Sequence, residues 1–155
     1  MALAAASIKV GHVFLIDGTP YDWGSSRDAS DSALQAYEYA AKKIKYYRPE
    51  LMVTELVTGK SKKGQYTRSL INQFMKAAQD NDVPWLLTTR EQHHANKFQE
   101  AIKLVERFPE MKSTLPPKRY WWQTEDQRMI IFEATALAFT AIEETQRNNA
   151  EQEQA

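Results

Sequence analysis

Glu55 sits in the setting that most invites chemistry. It lies in Leu51-Met52-Val53-Thr54-Glu55-Leu56, an apolar, strand-like run between Arg48-Pro49-Glu50 and a lysine-rich loop. A carboxylate on a buried strand is costly unless it is paired, hydrogen-bonded or bound to a metal. Otherwise it must point to the open face or sit at the strand's exposed end. Two further acids could join it. Asp126 and Glu133 are seven residues apart and would share one face of a last helix, with Glu125 beside them. Two-metal phosphodiester cleavage needs carboxylates from separated elements converging on a metal pair roughly 4 Å apart, and oxygen ligands suit Mg²⁺ or Mn²⁺. The ordinary role of Glu125 and Asp126 would be to partner the helix N-terminus. Glu133 differs, because it stands within Met-Ile-Ile-Phe-Glu-Ala-Thr-Ala-Leu-Ala-Phe, where an acid needs a reason.

Two basic segments accompany the acids. Lys60, Lys62, Lys63 and Arg68 follow the Glu55 strand, and Lys118 and Arg119 adjoin Tyr120-Trp121-Trp122. Cations beside aromatic rings suit phosphates and unstacked bases; the plainer reading is a solvated loop plus a hydrophobic anchor, and packing is the expected role of Trp121 and Trp122. His93-His94 is a poor metal site, because adjacent helical residues point in different directions. The stretch from Gly59 to Gly64 is not a phosphate-binding P-loop, since Gln65 and Tyr66 stand where Lys and Ser or Thr are required.

The elements that must position these residues read as α/β. Ala2–Ala6 forms a frayed end or a short buried strand, and Val13–Ile16 and Tyr21–Gly24 form a hairpin about Asp17-Gly18-Thr19-Pro20. Ser30 is placed to cap a helix with Leu34, Tyr37, Ala41 and Ile44 inward, ending by Arg48 because Pro49 disfavours helix before it. A second helix is expected over Gln65–Asp80, a strand over Val83–Thr89, and a third helix over Glu91–Arg107. An irregular stretch then leads to a central last helix capped by Thr124 and Gln127. Residues 1–146 are expected to form one domain and 147–155 a disordered polar tail.

Composition narrows the partners. The 155 residues carry a formal net charge of zero, with 43% hydrophobic and 26% charged residues. Any nucleic-acid contact must therefore come from a local patch. There is no cysteine, which excludes disulfides and thiolate metal sites. No apolar run approaches the roughly 20 residues that span a bilayer, so no membrane partner is expected and the cytoplasm is the default location.

Order and spacing together resemble the RuvC-like branch, the Holliday junction resolvase type, of the ribonuclease H-like superfamily. Tyr47-Arg48-Pro49-Glu50-Leu51-Met52-Val53-Thr54-Glu55 resembles the family's approach to a strand ending in a catalytic Glu. Phe132-Glu133-Ala134-Thr135-Ala136-Leu137-Ala138 resembles its last-helix phrase, with either Glu133 or Thr135 on the acid position. The resemblance implies a mixed β-sheet flanked by helices and a metal-dependent endonuclease acting on branched DNA. Glu55 and Glu133 would then hold Mg²⁺ or Mn²⁺, Asp126 would be a further candidate acid, and Lys60, Lys62, Lys63, Arg68, Lys118 and Arg119 would contact nucleic acid. The family usually acts as a homodimer; the sequence has no independent sign of an interface. The first strand departs from the pattern. With Ser7 and Gly11 in register, Ala5 stands where the family has Asp. The chain is then a degenerate relative, an Asp-to-Ala variant, or out of register there. As written it is expected to be inactive or very weak. The alternative is a non-catalytic nucleic-acid-binding or protein-interaction module on the same fold. Zero net charge and Ala5 favour that module, while the Gly-Lys loop and Glu133 oppose it.

Overall fold

The small residues that open the chain become the middle of the sheet. In the computed structural model, which describes residues 1–59, 61–90 and 96–155, five strands run in the order β3-β2-β1-β4-β5. They are β1 (Ala2–Ala6), β2 (Lys9–Ile16), β3 (Thr19–Ser26), β4 (Met52–Glu55) and β5 (Trp85–Thr88). The first three form an antiparallel meander, whereas β1, β4 and β5 run parallel. The β2–β3 turn carries Asp17 and Gly18, both at positive φ (52° and 76°), the conformation that favours an Asp-Gly pair in a two-residue hairpin.

Helices cover both faces: α1 (Ala33–Tyr47) and α2 (Gln65–Asp80) on one, α3 (Lys97–Arg107) and α4 (Met129–Glu153) on the other. Side chains of β1 alternate between the two layers. Met1, Leu3 and Ala5 join the α1–α2 core, and Ala2 and Ala4 join the α4 core, as the two-residue strand period requires. Alanine lets helices approach from both sides. Gly11 does the same on β2: a Cβ there would lie 2.8 Å from Ile130 Cγ2 and 2.9 Å from the Ile130 carbonyl carbon and oxygen. The close approach fixes how deeply α4 sits and hence where Glu133, three residues on, is held.

The α1 side is pinned by a polar network. Tyr47 donates its hydroxyl proton to Asp22 Oδ2 (2.5 Å). His12 Nε2 therefore donates to Tyr47 (3.1 Å), and Nδ1 accepts from Tyr39 (2.6 Å). Burial holds His12 neutral, with its pKa pushed down to about 4.

Several local expectations are corrected. Ser32, not Ser30, caps α1 by accepting from Gln35 N; Ser30 lies buried in the preceding 3-10 turn. Leu34 is exposed (64%), because Ala36, Ala40, Ala41 and Ile44 make the closer-packing face. The described part of the third helix begins after Asn96, which caps it through Gln99 N. Its expected start at Glu91, with His93-His94, lies outside the described residues. Helix α4 starts at Met129 without a Thr124 cap; Gln127 instead reaches back to Arg27 and Ser25. The polar end expected to be a disordered tail continues α4 to Glu153 as exposed turns, in keeping with the helix preference of its Gln, Ala and Glu residues. Among the described residues, no helix is long and apolar enough to cross a membrane.

Candidate functional site

Parallel strands gather their last residues at one edge, and ligand clefts form outside such carboxyl ends. Here β4 ends in Glu55 beside Thr88 of β5, and α4 lays Glu133 over the same edge. Both acids are buried, at 6% and 4% exposure. They open on a cleft of about 710 Å³ that is also lined by Ala6, Lys63, Arg90 and Lys97.

The cation between the acids belongs to the protein. Lys63 Nζ donates to Glu133 Oε1 (2.5 Å) and to the carbonyl of Ala5 (2.6 Å), and it lies 3.6 Å from Glu55 Oε2. Arg90 supplies a second positive charge. Its Nη2 donates to Glu100 Oε1 (2.7 Å), and its Nη1 lies 4.0 Å from Glu133. These surroundings separate the two carboxyls. Burial pushes Glu55 up from the ordinary carboxylate range, and Lys63 offsets that only in part. Burial acts on Glu133 in the same direction, but the Lys63 and Arg90 charges outweigh it and hold Glu133 below its usual value.

The geometry sorts the candidates. Ala5 contributes a carbonyl only, since its side chain faces the α1–α2 core. Glu55 shares the α4 side with Val53, and the pairing Ala2↔Val53 places Ala4 beside Glu55. Ala4, or Ala6 at the cleft wall, is where an acid would face Glu55 and Glu133. Thr135, the other register for the last-helix acid, is fully buried and donates back to the Ile131 carbonyl (2.8 Å); Glu133 is the residue that reaches the cleft. Asp126 lies in the turn before α4, not on its face, and accepts from Arg128 Nε and Nη2 (both 2.9 Å). Those bonds hold its pKa down to about 2.

Among the basic residues, Lys63 is spent inside the acid pair, and Arg68 braces its own loop through the carbonyls of Lys63 and Thr58. Lys60 lies outside the described residues. Lys62 is exposed and lines both the acid cleft and a second one, of about 500 Å³, with Lys97, Lys118, Arg119, Glu125 and Asp126. The expectation that Trp121 and Trp122 pack inward is overturned: they are 91% and 63% exposed.

Arg90, Glu100 and Lys9 join the site without a motif in sequence that marks them. Lys9 is buried and reaches Glu125 Oε2 (3.5 Å) and the Asp126 carbonyl (3.4 Å). The signal for Arg90 was available, since it follows the end of the strand that parallels Glu55's. Glu100 could be noticed as an acid on the apolar face of α3, beside Ala101 and Leu104.

These donors do not fit a metal pair. Among the described residues they comprise two carboxylates and one carbonyl, and the point on which their oxygens converge is taken by Lys63 Nζ. Among the described residues no group of three or more His, Cys, Asp or Glu side chains is placed to hold a metal ion. Glu55 Oε2 is buried without a hydrogen-bond partner among the described residues, so its compensation is the Lys63 charge.

No protein-family model and no curated protein matches the chain. Solved structures do. The RuvC structure of Thermus thermophilus superposes with a TM-score of 0.59 at 12% identity, covering 89% of each chain. The structure of T. thermophilus RuvC in complex with a Holliday junction substrate superposes at 0.55 and 11% identity, covering 92% of this chain and 94% of the other. With its mixed five-stranded sheet between helical layers, this chain has the RuvC-like, ribonuclease H-like α/β fold.

Proposed function

We propose that this protein binds branched DNA through a RuvC-like face and does not cut it. The observation that carries the reading is the union of two clefts through Lys62 and Lys97: an acid cleft neutralised by Lys63, and a basic cleft holding Lys118 and Arg119. The basic cleft suits phosphate oxygens, which position a nucleic acid without reading its sequence. Among the described residues the acid cleft offers two carboxylates, fewer than a pair of Mg²⁺ or Mn²⁺ ions needs, which supports binding without phosphodiester hydrolysis. A structural neighbour bound to a Holliday junction supports a branched partner.

The test is binding and cleavage of a four-way DNA junction, with and without Mg²⁺ or Mn²⁺, recorded in the same samples. Binding that weakens steeply with salt, without cleavage under either metal, is the expected result. Cleavage by the unaltered chain, or no binding to any DNA, overturns it. Ala4→Asp, Ala5→Asp and Ala6→Asp variants extend the test. Metal-dependent nicking is expected from position 4 or 6 and not from position 5, because only the first two face Glu55 and Glu133.

A further inference from the structure

The turn Tyr120–Gln123 carries large aromatic surface that the fold leaves uncovered. Tyr120, Trp121 and Trp122 are 62%, 91% and 63% exposed. They are nonetheless ordered against one another. The Tyr120 and Trp122 rings stack at 4.7 Å and 3°, and Trp121 stands edge-on to Trp122 at 5.7 Å and 88°. The turn is also braced. Gln123 N donates to the Tyr120 carbonyl (3.0 Å), Tyr120 N donates to Gln123 Oε1 (2.9 Å), and Arg119 Nη1 donates to the Gln123 carbonyl (3.1 Å).

We infer that this turn is a stacking platform for an unpaired nucleobase of the DNA whose phosphates lie in the adjoining basic cleft. The inference rests on the DNA-binding reading and adds a specificity to it: preference for unstacked over fully paired strands. Charge complementarity selects the occupant. The residues leading into the turn, Lys118 and Arg119, line the cleft with Lys62 and Lys97. Of the acids there, Asp126 is held by Arg128, and Glu125 is shared between Lys9 and Lys97. A chain of phosphates tracking these cations would bring its bases to the aromatic turn. A flat, exposed indole accepts any base on its face, and the geometry does not require a particular sequence.

Labelled oligonucleotides bound by the full chain test this, with dissociation constants read for single-stranded oligothymidine, a duplex with a looped-out base, and a fully paired duplex. Trp121→Ala/Trp122→Ala should weaken binding to the two unpaired substrates by about 10- to 100-fold. The loss on paired duplex should be several-fold smaller and the slope of affinity against salt retained. Trp121→Phe/Trp122→Phe should recover most of the loss. Binding of oligothymidine should also quench tryptophan fluorescence in the unaltered chain. An equal loss on all substrates, or none, overturns the platform while leaving DNA binding intact; absence of any DNA binding by the unaltered chain overturns both. A concentration-dependent dimer abolished by the alanine variant would assign the aromatic turn to self-association and also overturn the platform. Unchanged thermal unfolding of the alanine variant separates each outcome from a folding defect.

Discussion

The acid cleft and the basic cleft share a wall and handle charge in opposite ways. In the first, Glu55, Glu133 and Glu100 are buried against Lys63 and Arg90, and the charges are spent on one another. In the second, Lys62, Lys118 and Arg119 stand exposed, Lys97 is shared with Glu125 at the surface, and the aromatic rings beside them are exposed. Buried charges that satisfy each other bear on whether the edge of the sheet holds together, because removing one partner strands the other in low dielectric. Exposed charges bear little on folding and are open to an outside partner. The contrast is between charges that brace the sheet edge and charges that remain open to solvent.

The sharpest way to break that contrast is Lys63→Met. It leaves Glu133 buried with the more distant Arg90 and Lys97 charges and should lower unfolding stability by on the order of 3 kcal/mol. Glu133→Gln in the same chain should restore part of that loss, and urea unfolding of the two single variants and the double variant measures the coupling. A Lys63→Met variant as stable as the unaltered chain would mean that the acid pair is not held by that ammonium.

A pH titration separates the acid cleft from the other buried polar cluster. The folded pKa of His12, about 4, lies below its ordinary value of 6.5. The unfolded state therefore takes up the proton first as pH falls. The His12 contribution to stability is full above pH 6.5, declines between 6.5 and about 4, and is lost in full below that. The total is about 3 kcal/mol for a shift of this size. His12→Gln should flatten the decline between pH 6.5 and 4.5, measured by chemical unfolding at each pH; an unchanged slope would place the loss elsewhere.

Gly11→Ala probes how α4 is seated. Its Cβ would meet the backbone of Ile130, so α4 must shift, at a cost of about 1–3 kcal/mol read as a lower thermal midpoint. Smallest in stability is the response of the basic cleft. Lys62→Ala and Lys118→Ala should each change unfolding free energy by less than about 0.5 kcal/mol yet reduce the salt slope of DNA binding by about one. Stability losses as large as that of Lys63→Met would erase the distinction between the clefts.

Much of this arrangement was legible in the order of residues. The Asp17-Gly18 hairpin, the end of α1 at Arg48, the Glu55 strand and α2 over Gln65–Asp80 all follow from local signals. Turn chemistry, proline restriction and hydrophobic period act within a few residues and leave their marks in sequence. The acid in the apolar run of α4 was legible for the same reason, since a carboxylate among Ile131, Phe132 and Ala134 demands a partner. The α1 face departs from its apolar pattern at Leu34, because small alanines, not the largest apolar side chains, pack closest to the sheet.

The partner itself was decided by the tertiary structure. Lys63 is 70 residues from Glu133, and in sequence it is one lysine of a flexible basic loop. Only the seating of α4 against Gly11 and the pleat of β1 determine that its ammonium fills the space between the acids. The same pleat turns Ala5 to one layer and Ala4 to the other, a one-residue distinction that the motif Ala-Ala-Ala-Ser cannot encode. Sequence determined which elements form and which residues carry charge, because those depend on near neighbours and side-chain chemistry. Which charges neutralise each other and which remain exposed depended on contacts between distant segments, whose distances exist only once the layers have packed.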